Sequence, residues 1–273
     1  MVRLKDKVAV VTGGGGGLGE GISLCLAREG AHVVVSDVKL EMAEKVAVRV
    51  REKGVKALAI QTDVRFSDQC QDMIDTALRE MGGLDILVCS AGVGGYAPDR
   101  EPGKLLNIEN ITDEDWDTVI DVNLKGVFLC NRAIIPHFKK QRSGKIINIA
   151  SIGARMPLDF LAHYDTSKAG VIALTQAVAM HMARYNVNVN SVCPGLIKTE
   201  MGANMGKLLS DSHPVFRGMN PDDIFNTLVT NSVRKRTPQT AEDIGNAVVF
   251  LASEEGKEIV GQGLNVCGGM YFS

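Results

Sequence analysis

Residues 8–21 read VAVVTGGGGGLGEG, an apolar run that ends in Thr12 and is followed at once by consecutive glycines. The run predicts a buried strand, and a helical pattern begins at about Leu18, so the glycines lie in a strand-to-helix turn. Glycine permits positive φ and a close approach of backbone to a ligand, and the free N–H groups of a helix N-terminus favour a phosphate. The stretch therefore predicts a phosphate-binding turn, and the alternative is a tight turn without a ligand.

Short apolar strands alternate with segments of helical period along most of the chain. The later strand patterns are HVVVSD, KALAIQ, LDILVC, KIINIA and VNVNSVC, and capping boxes at 112–115 (TDED) and 240–243 (TAED) open two helices. This alternation favours a parallel sheet with helices on both faces. Segments 93–111 and 199–237 break the rhythm, but nothing divides the chain, so we predict one α/β domain over residues 1–273.

The composition limits the classes of function. The chain has 273 residues, 45% of them hydrophobic, and a net charge of -2 without a basic patch for nucleic acid. Its apolar stretches are too short to span a bilayer, and MVRLKDK leads into a strand rather than a signal-peptide core. The six cysteines show no C-x-x-C pair and no clustering with histidine. We expect a cytoplasmic protein with a small-molecule partner, no nucleic acid, no membrane and no metal.

The glycine spacing Thr12-Gly13-x-x-x-Gly17-x-Gly19 resembles the T-G-x-x-x-G-x-G of the short-chain dehydrogenases/reductases. The resemblance runs from Lys7 to about Gly269 and implies a doubly wound Rossmann domain of about seven parallel strands, assembled as a homotetramer or homodimer. It implies the catalytic residues Asn123, Ser151, Tyr164 and Lys168. It also implies these cofactor contacts besides Tyr164 and Lys168: Gly13, Gly17, Leu18, Gly19, Asp37, Asp63, Val64, Ala91, Gly92, Pro194, Gly195, Ile197 and Thr199.

Two positions depart from the family pattern. Cys89-Ser90 replaces the two asparagines of N-N-A-G, and Cys267 stands where V-D-G-G has aspartate. We expect the first departure to alter the support of the sheet beside the cofactor, and the second to alter subunit packing. Neither removes a catalytic group.

The chemistry of Tyr164 and Lys168 follows from their spacing. Residues four apart share a helix face, and an ammonium near a phenol stabilises the phenolate. That matters because tyrosine titrates near ~10, too high for a base at neutral pH. Tyr164 is the predicted general acid/base, and the resemblance implies that Lys168 also reaches the nicotinamide ribose.

Ser151 and Asn123 complete the predicted catalytic set. Ser151 follows KIINIA at its carboxyl end, where open α/β sheets place their sites, so its hydroxyl is predicted to orient the substrate oxygen. Asn123 lies within a predicted helix, an indifferent place for asparagine. The resemblance implies that it holds a water linking Lys168 to solvent.

Asp37 favours NAD as the cofactor. It ends HVVVSD about twenty residues past the glycine turn, where a carboxylate accepts hydrogen bonds from the adenine ribose and repels the extra phosphate of NADP. No arginine follows it, and Gly14, Gly15 and Gly16 leave the turn without a basic residue. The alternative is that Asp37 only caps the next helix.

Three other features lie outside the predicted catalytic and cofactor-binding sets. His163 is interpreted as a packed or exposed histidine at a helix start and is left out of the catalytic set. Arg155 is either a solvated loop residue or a contact for an anionic substrate group. Segment 199–237 follows the turn after VNVNSVC and is predicted to be a substrate lid, with methionine, leucine and phenylalanine for an apolar substrate and Lys207 and Arg217 for an acidic group.

These observations predict an oxidoreductase that transfers a hydride reversibly between NAD(H) and a secondary alcohol or ketone. One alternative is an NADP-dependent ketoreductase. Another, from a different class, is a catalytically silent NAD-binding sensor or scaffold. A sugar-nucleotide epimerase would need a longer carboxyl-terminal substrate domain than the residues after Gly195 supply.

Overall fold

The computed structural model describes residues 2–95 and 107–272, and in these ranges it has one parallel sheet of seven strands in the order β3-β2-β1-β4-β5-β6-β7. Each apolar run named above forms a strand, and a seventh lies near the carboxyl end. The strands are β1 (Val8–Thr12), β2 (His32–Asp37), β3 (Ala57–Gln61), β4 (Ile86–Cys89), β5 (Gly144–Ile149), β6 (Val187–Pro194) and β7 (Gly263–Val266).

Helices cover both faces of this sheet, which confirms the doubly wound fold. Residues of α1, α2 and α9 pack on one face, and residues of α3, α5 and α6 pack on the other. The helices are α1 (Gly17–Arg28), α2 (Leu40–Arg51), α3 (Ser67–Met81), α4 (Asp113–Ile120), α5 (Gly126–Gln141), α6 (Ala162–Met182), α7 (Glu200–Ser212), α8 (Pro221–Ser232) and α9 (Ala241–Ala252). None of the helices in the described ranges is both long and apolar enough to cross a bilayer.

The strand order places a crevice at the carboxyl ends of β1 and β4. β1 pairs with β2 on one side and with β4 on the other, so the chain direction of the crossovers reverses there. Ligands of open α/β sheets bind at this switch point. The turns that follow β1, β4, β5 and β6 carry most of the residues predicted to be functional.

Local signals account for most helix boundaries. Both predicted capping boxes are present, at Thr112 with Asp115 and at Thr240 with Asp243. The two irregular segments differ from expectation in different ways. Segment 199–237 contains α7 and α8, while segment 93–111 lies partly outside the described residues and ends in a single 3-10 turn, Ile108–Asn110.

A buried polar network supports the middle of the sheet where Cys89 replaces asparagine. The Asn131 amide donates to the thiol of Cys89 at 3.4 Å and to Asn148 Oδ1 at 2.9 Å. The Asn148 amide in turn donates to Thr175 Oγ1 at 3.0 Å. The thiol thus takes one acceptor position in a network that joins β4, α5, β5 and α6.

This network predicts a stability loss for Thr175→Val. Valine has the same shape as threonine but removes the nearer of the two acceptors of the Asn148 amide, the other being Asn131 Oδ1 at 3.4 Å, so the free energy of unfolding should fall by about 1–3 kcal/mol. Thr166→Val on the exposed side of the same helix is the matched control and should change it by less than ~0.5 kcal/mol. Denaturant unfolding measures both, and equal stability of the two variants would contradict the network.

Candidate active site

The glycine turn after β1 is held against the turn after β4. The Thr12 hydroxyl accepts the backbone N–H groups of Ser90 and Ala91 at 3.1 and 3.3 Å. Gly13 has φ 62°, and a β-carbon there would lie 2.6 Å from Ala91 Cα. Both the backbone conformation and the close approach therefore require glycine at position 13, as the spacing predicts.

The same turn borders open space on its other side. A β-carbon at Gly16 would meet no atom within 4 Å, and one at Gly17 would meet only Thr199 Cγ2, at 4.0 Å. Gly17 has φ 53°, so it is required for conformation rather than for space, whereas a β-carbon at Gly19 would overlap the carbonyl of Gly13. Open space thus borders the start of α1, where Leu18 is half-buried, with Thr199 of the segment after β6 on its other side; we call this space the trough.

These features fit a dinucleotide. Unobstructed N–H groups at the N-terminus of α1 suit a pyrophosphate, and carboxylates follow the adjacent strands β2 and β3. Asp37 and Asp63 are those carboxylates. In the described ranges the His, Cys, Asp and Glu side chains form no group that could hold a metal ion.

Asp37 is half-buried at the end of β2 and binds two backbone N–H groups. Its Oδ2 accepts from Gly15 in the glycine turn at 3.0 Å, and its Oδ1 accepts from Lys39, just before α2, at 3.0 Å. It therefore holds the turn before α2, but α2 has Lys39 as its N-cap and no side-chain cap hydrogen bond, so the capping alternative is not what the structure has. The same carboxylate lies against the glycine turn, where the cofactor prediction places it.

Asp63 and Val64 follow β3. Asp63 pairs with Arg65, whose Nη2 lies 2.6 Å from Asp63 Oδ2, and these hydrogen bonds hold the pKa of Asp63 below its usual value. Val64 is buried against Gly126. Both residues lie just after β3, and their contact with the cofactor stays a prediction.

Gly92, in the turn after β4, lies close to two of the predicted catalytic residues. A β-carbon at Gly92 would lie 3.2 Å from Asn123 Oδ1 and 3.5 Å from Lys168 Nζ. Ala91 and Gly92 therefore connect the cofactor trough to the side chains of α6.

Tyr164 and Lys168 share one face of α6, as their spacing predicts. Lys168 Nζ lies 5.8 Å from the centroid of the Tyr164 ring and donates to the Ile149 carbonyl at 3.0 Å. Burial lowers the pKa of Lys168 to about 8, and the charge interaction with Cys193 opposes that shift. Near neutral pH the ammonium is the main form, available to stabilise a phenolate.

Ser151 lies beside the Tyr164 hydroxyl. Burial raises the pKa of Tyr164, and a side-chain hydrogen bond with Ser151 lowers it. Ser151 also caps the 3-10 turn Ile152–Ala154, because its hydroxyl accepts the Gly153 N–H at 3.1 Å. The serine thus combines a capping role with an influence on the pKa of the predicted acid/base, Tyr164.

Asn123 lies in a π-helical turn, Asp121–Lys125, between α4 and α5. Its side chain is fully buried and exchanges two hydrogen bonds with the backbone of Val93, at 2.8 and 3.0 Å. Its amide also donates to Ser167 Oγ at 3.2 Å. π-Helical turns are frequent at functional sites. The side chain is engaged by protein groups, and the proton-relay role stays a prediction.

The segment after β6 forms the far wall of the trough. Pro194 ends β6, and a β-carbon at Gly195 would lie 2.6 Å from Gln239 Oε1. Ile197 forms an isolated bridge with Gln239, and Thr199 caps α7 by accepting the Gly202 N–H at 3.3 Å. Of the predicted cofactor residues in this segment, Thr199 faces Gly17, while Gly195 and Ile197 contact Gln239.

His163 and Arg155 both have defined partners in the structure. His163 is buried at the start of α6 with its Nε2 2.7 Å from the Gly95 carbonyl, so it is the packed histidine of the prediction. Arg155 donates to the Gly263 carbonyl at 3.1 Å and lies over the ring of Tyr271. It is half-buried rather than a solvated loop residue.

The predicted lid contributes apolar side chains to the cluster that contains Tyr164. Leu209 of α7 and Ile224 of α8 are buried with Phe160 and Leu161, and four half-buried residues pack against them: Tyr164, Met205, Phe216 and Leu228. Phe225 belongs to a different cluster, and Met219 is exposed. Lys207 pairs with Asp211 at 2.7 Å, and Arg217 is exposed.

Some contacts of the site were missed by the sequence reasoning. Val93 and Ser167 hold Asn123, and Asp165 lies buried beside Ser151's turn. Ser167 and Asp165 sit inside the Y-D-T-S-K motif, so the motif itself was the available signal. Val93 is 30 residues from Asn123 and gave none.

Known proteins resemble the chain along nearly its whole length. A family model described as short chain dehydrogenase matches residues 7–208. The 3-oxoacyl-[acyl-carrier-protein] reductase FabG of Staphylococcus epidermidis is 36% identical over 268 residues, 98% of this chain and 100% of that protein. The structure of levodione reductase has a TM-score of 0.89 at 28% identity, covering 98% of both chains. That of NAD+-bound xylitol dehydrogenase has a TM-score of 0.89 at 29% identity, covering 97% of this chain and 99% of the other.

Proposed function

The chain belongs to the short-chain dehydrogenase family of oxidoreductases, and from that premise we propose that it transfers a hydride reversibly between NAD(H) and a secondary alcohol or ketone. The observation that carries the proposal is Lys168 Nζ at 5.8 Å from the centroid of the Tyr164 ring on one face of α6, with Ser151 acting to lower the pKa of Tyr164. This arrangement lies at the end of a trough that fits a dinucleotide. When bound there, the nicotinamide ring accepts or gives the hydride at the substrate carbon.

The side chains handle the proton in this proposal. In alcohol oxidation the hydroxyl proton passes to the Tyr164 oxygen as the carbon loses its hydride, and in ketone reduction the same oxygen returns a proton. Lys168 favours the phenolate through its positive charge. The Ser151 hydroxyl donates to the substrate oxygen and fixes its position beside Tyr164. The resemblance supports Lys168 as a contact of the nicotinamide ribose as well.

Asp37 supports NAD rather than NADP. Its carboxylate lies against the glycine turn, where it would accept hydrogen bonds from the ribose and repel a phosphate. The alternative of an NADP-dependent ketoreductase has support from the 36% identity to an enzyme named as a 3-oxoacyl reductase. A comparison of kcat/KM for the two cofactors separates these two proposals.

A screen of alcohols and ketones, read by the absorbance of reduced nicotinamide, tests the proposed activity. The panel should contain xylitol, substituted cyclohexanols and the 3-oxo ester ethyl acetoacetate. Turnover of at least one compound with NAD or NADH supports the oxidoreductase. Binding of NAD without any turnover would favour a silent sensor or scaffold instead. The homodimer or homotetramer that the resemblance implies is tested by light scattering on the same sample.

We also propose that segment 199–237 is a lid for the apolar part of the substrate, since its side chains share a cluster with Tyr164. Met205→Ala should raise KM for substrate about fivefold or more, while KM for NAD changes little, because the removed contacts lie on the substrate side. The matched control is Val215→Ala, at a side chain that is 73% exposed on the same segment. Equal increases in both KM values would make the segment a scaffold.

The ion pair of Lys207 with Asp211 affects which charge we propose for the substrate. An acidic substrate group was predicted from Lys207 and Arg217, but Lys207 already has Asp211 as its partner. We therefore propose an apolar, uncharged body for the part of the substrate that meets the lid.

A further inference from the structure

Asp165 follows Tyr164 directly in the sequence, yet its side chain is only 4% exposed. Charged side chains are rarely buried without a partner. The Asp165 Oδ2 accepts the backbone N–H of Leu158 at 2.7 Å. Asp165 thus connects α6 to the serine segment, by which we mean residues 151–158.

The other carboxylate oxygen packs on Gly153. A β-carbon at residue 153 would overlap Asp165 Oδ1, so only glycine leaves room for the carboxylate. The Gly153 N–H donates to Ser151 Oγ at 3.1 Å. One buried carboxylate therefore touches both the beginning and the end of the serine segment.

We propose that Asp165 is a positioning residue that fixes the serine segment against α6, keeps Ser151 at the Tyr164 hydroxyl, and holds Tyr164 in the protonated form that donates to a ketone. The inference rests on the proposed function, since Asp165 acts through Tyr164 and Ser151.

The charge of Asp165 acts on Tyr164 in the opposite sense to that of Lys168. Burial raises the pKa of Asp165 to about 6, and the hydrogen bond from Leu158 opposes that rise, so the carboxylate is charged at neutral pH. Burial raises the pKa of Tyr164, the hydrogen bond with Ser151 lowers it, and the negative charge of Asp165 raises it again. Above pH ~6 the carboxylate therefore favours the neutral phenol.

Other ionisable groups near Asp165 have partners of their own. His163 contacts Gly95, Lys168 contacts Ile149, and Arg155 contacts Gly263. No ion pair joins Asp165 to a cation within residues 2–95 and 107–272. Besides Asp165, the ionisable groups on α6, on the serine segment and on the elements packed against them are Asp113, Glu114, Asp115, Asp117, Asp121, Lys125, Cys130, Arg132, His137, Lys139, Lys140, Lys145, Arg155, Asp159, His163, Tyr164, Lys168, His181, Arg184, Tyr185 and Cys193.

The hydrogen bond with Leu158 does not by itself explain why residue 165 carries a charge. A buried carboxylate without a counter-ion disfavours folding at neutral pH, and an asparagine would accept the Leu158 N–H equally well. The effect of the charge on Tyr164 supplies that explanation.

Asp165→Asn tests the charge with the hydrogen-bond acceptor retained, and Asp159→Asn, at an exposed position of the next 3-10 turn, is the matched control. The direct readout is ultraviolet titration of tyrosinate in cofactor-free protein, with the Tyr164→Phe protein subtracted to isolate Tyr164. We expect Asp165→Asn to move this titration to lower pH by about half a unit or more. The alkaline limb of kcat/KM for reduction of ethyl acetoacetate should move in the same direction. Asp159→Asn should leave both unchanged.

Gly153→Ala tests the position of the serine segment without changing the charge. Its β-carbon would displace the carboxylate from the segment, so kcat should fall at least about tenfold with KM for the cofactor unchanged. An unmoved Tyr164 titration in Asp165→Asn, or wild-type kcat in Gly153→Ala, overturns the inference. If Tyr164→Phe also retains turnover, the proposed function fails with it. If Tyr164→Phe is inactive, only the role of Asp165 is lost.

Discussion

Replacing Tyr164 with phenylalanine should reduce kcat by about a hundredfold to ten-thousandfold, the usual contribution of a positioned acid or base. The variant should still fold, because the ring packs in an apolar cluster with Met205 and Phe216 and phenylalanine preserves that packing. It should also bind NAD, since the glycine trough lies outside the change. Initial rates measure kcat, and the fluorescence of bound NADH measures cofactor affinity.

Tyr185→Phe is the matched control for this experiment. Tyr185 lies in the 3-10 turn that follows α6, at the far end of the helix from the trough, and should keep wild-type kcat. Near wild-type turnover in a folded Tyr164→Phe protein would remove Tyr164 from its proposed role. If the Tyr164→Phe protein lost both NAD binding and turnover, the variant would disturb the trough as well as the proton transfer.

Replacing Asp37 with serine together with Val38 with arginine should change the ratio of kcat/KM for NAD over NADP by about a hundredfold, or ~3 kcal/mol, in favour of NADP. The serine removes the carboxylate that repels the phosphate, and the arginine supplies a cationic partner. Val38 is exposed, so a longer side chain fits there without disturbing the core.

Asp37→Asn serves as the control for the structural role of Asp37. It keeps one side-chain oxygen for the N–H groups of Gly15 or Lys39 and removes the charge. This variant should weaken NAD use without creating the full preference for NADP. A wild-type protein that already prefers NADP would contradict the interpretation of Asp37 and support the ketoreductase alternative.

The sequence predicts the fold well because its signals are local. Alternating apolar strands and helices specify the layers, and the capping boxes at 112–115 and 240–243 mark helix starts that the structure has at the same residues. The glycine run predicts its own geometry too, since Gly13 and Gly17 both have positive φ. Here each feature depends on residues close in sequence.

Local sequence signals do not predict the structure of segment 199–237. Asn220 and Pro221 form a helix start of the usual kind, but the sequence pattern of the segment predicts one lid and does not separate its two helices, α7 and α8. The contact of its apolar residues with the cluster around Tyr164 depends on how α7 and α8 fold back over the sheet. The lone pattern of apolar residues does not encode that placement.

The contacts within the site depend on even more distant residues. Asn123 binds Val93 and His163 binds Gly95, partners that are 30 and 68 positions apart in the sequence. The burial of Asp165 is invisible in the sequence for a related reason. A charged residue on a helix is normally exposed, and only the packing of the serine segment on α6 buries this one.

The most direct test of the proposed hydride transfer uses a secondary alcohol from the screen that carries deuterium on its carbinol carbon. Incubation with NAD and the wild-type protein should give reduced nicotinamide that contains one substrate-derived deuterium per turnover, measured by mass spectrometry or NMR. The Tyr164→Phe protein should form almost none in the same time. Reduced nicotinamide without substrate deuterium, or equal labelling by the Tyr164→Phe protein, would contradict the account.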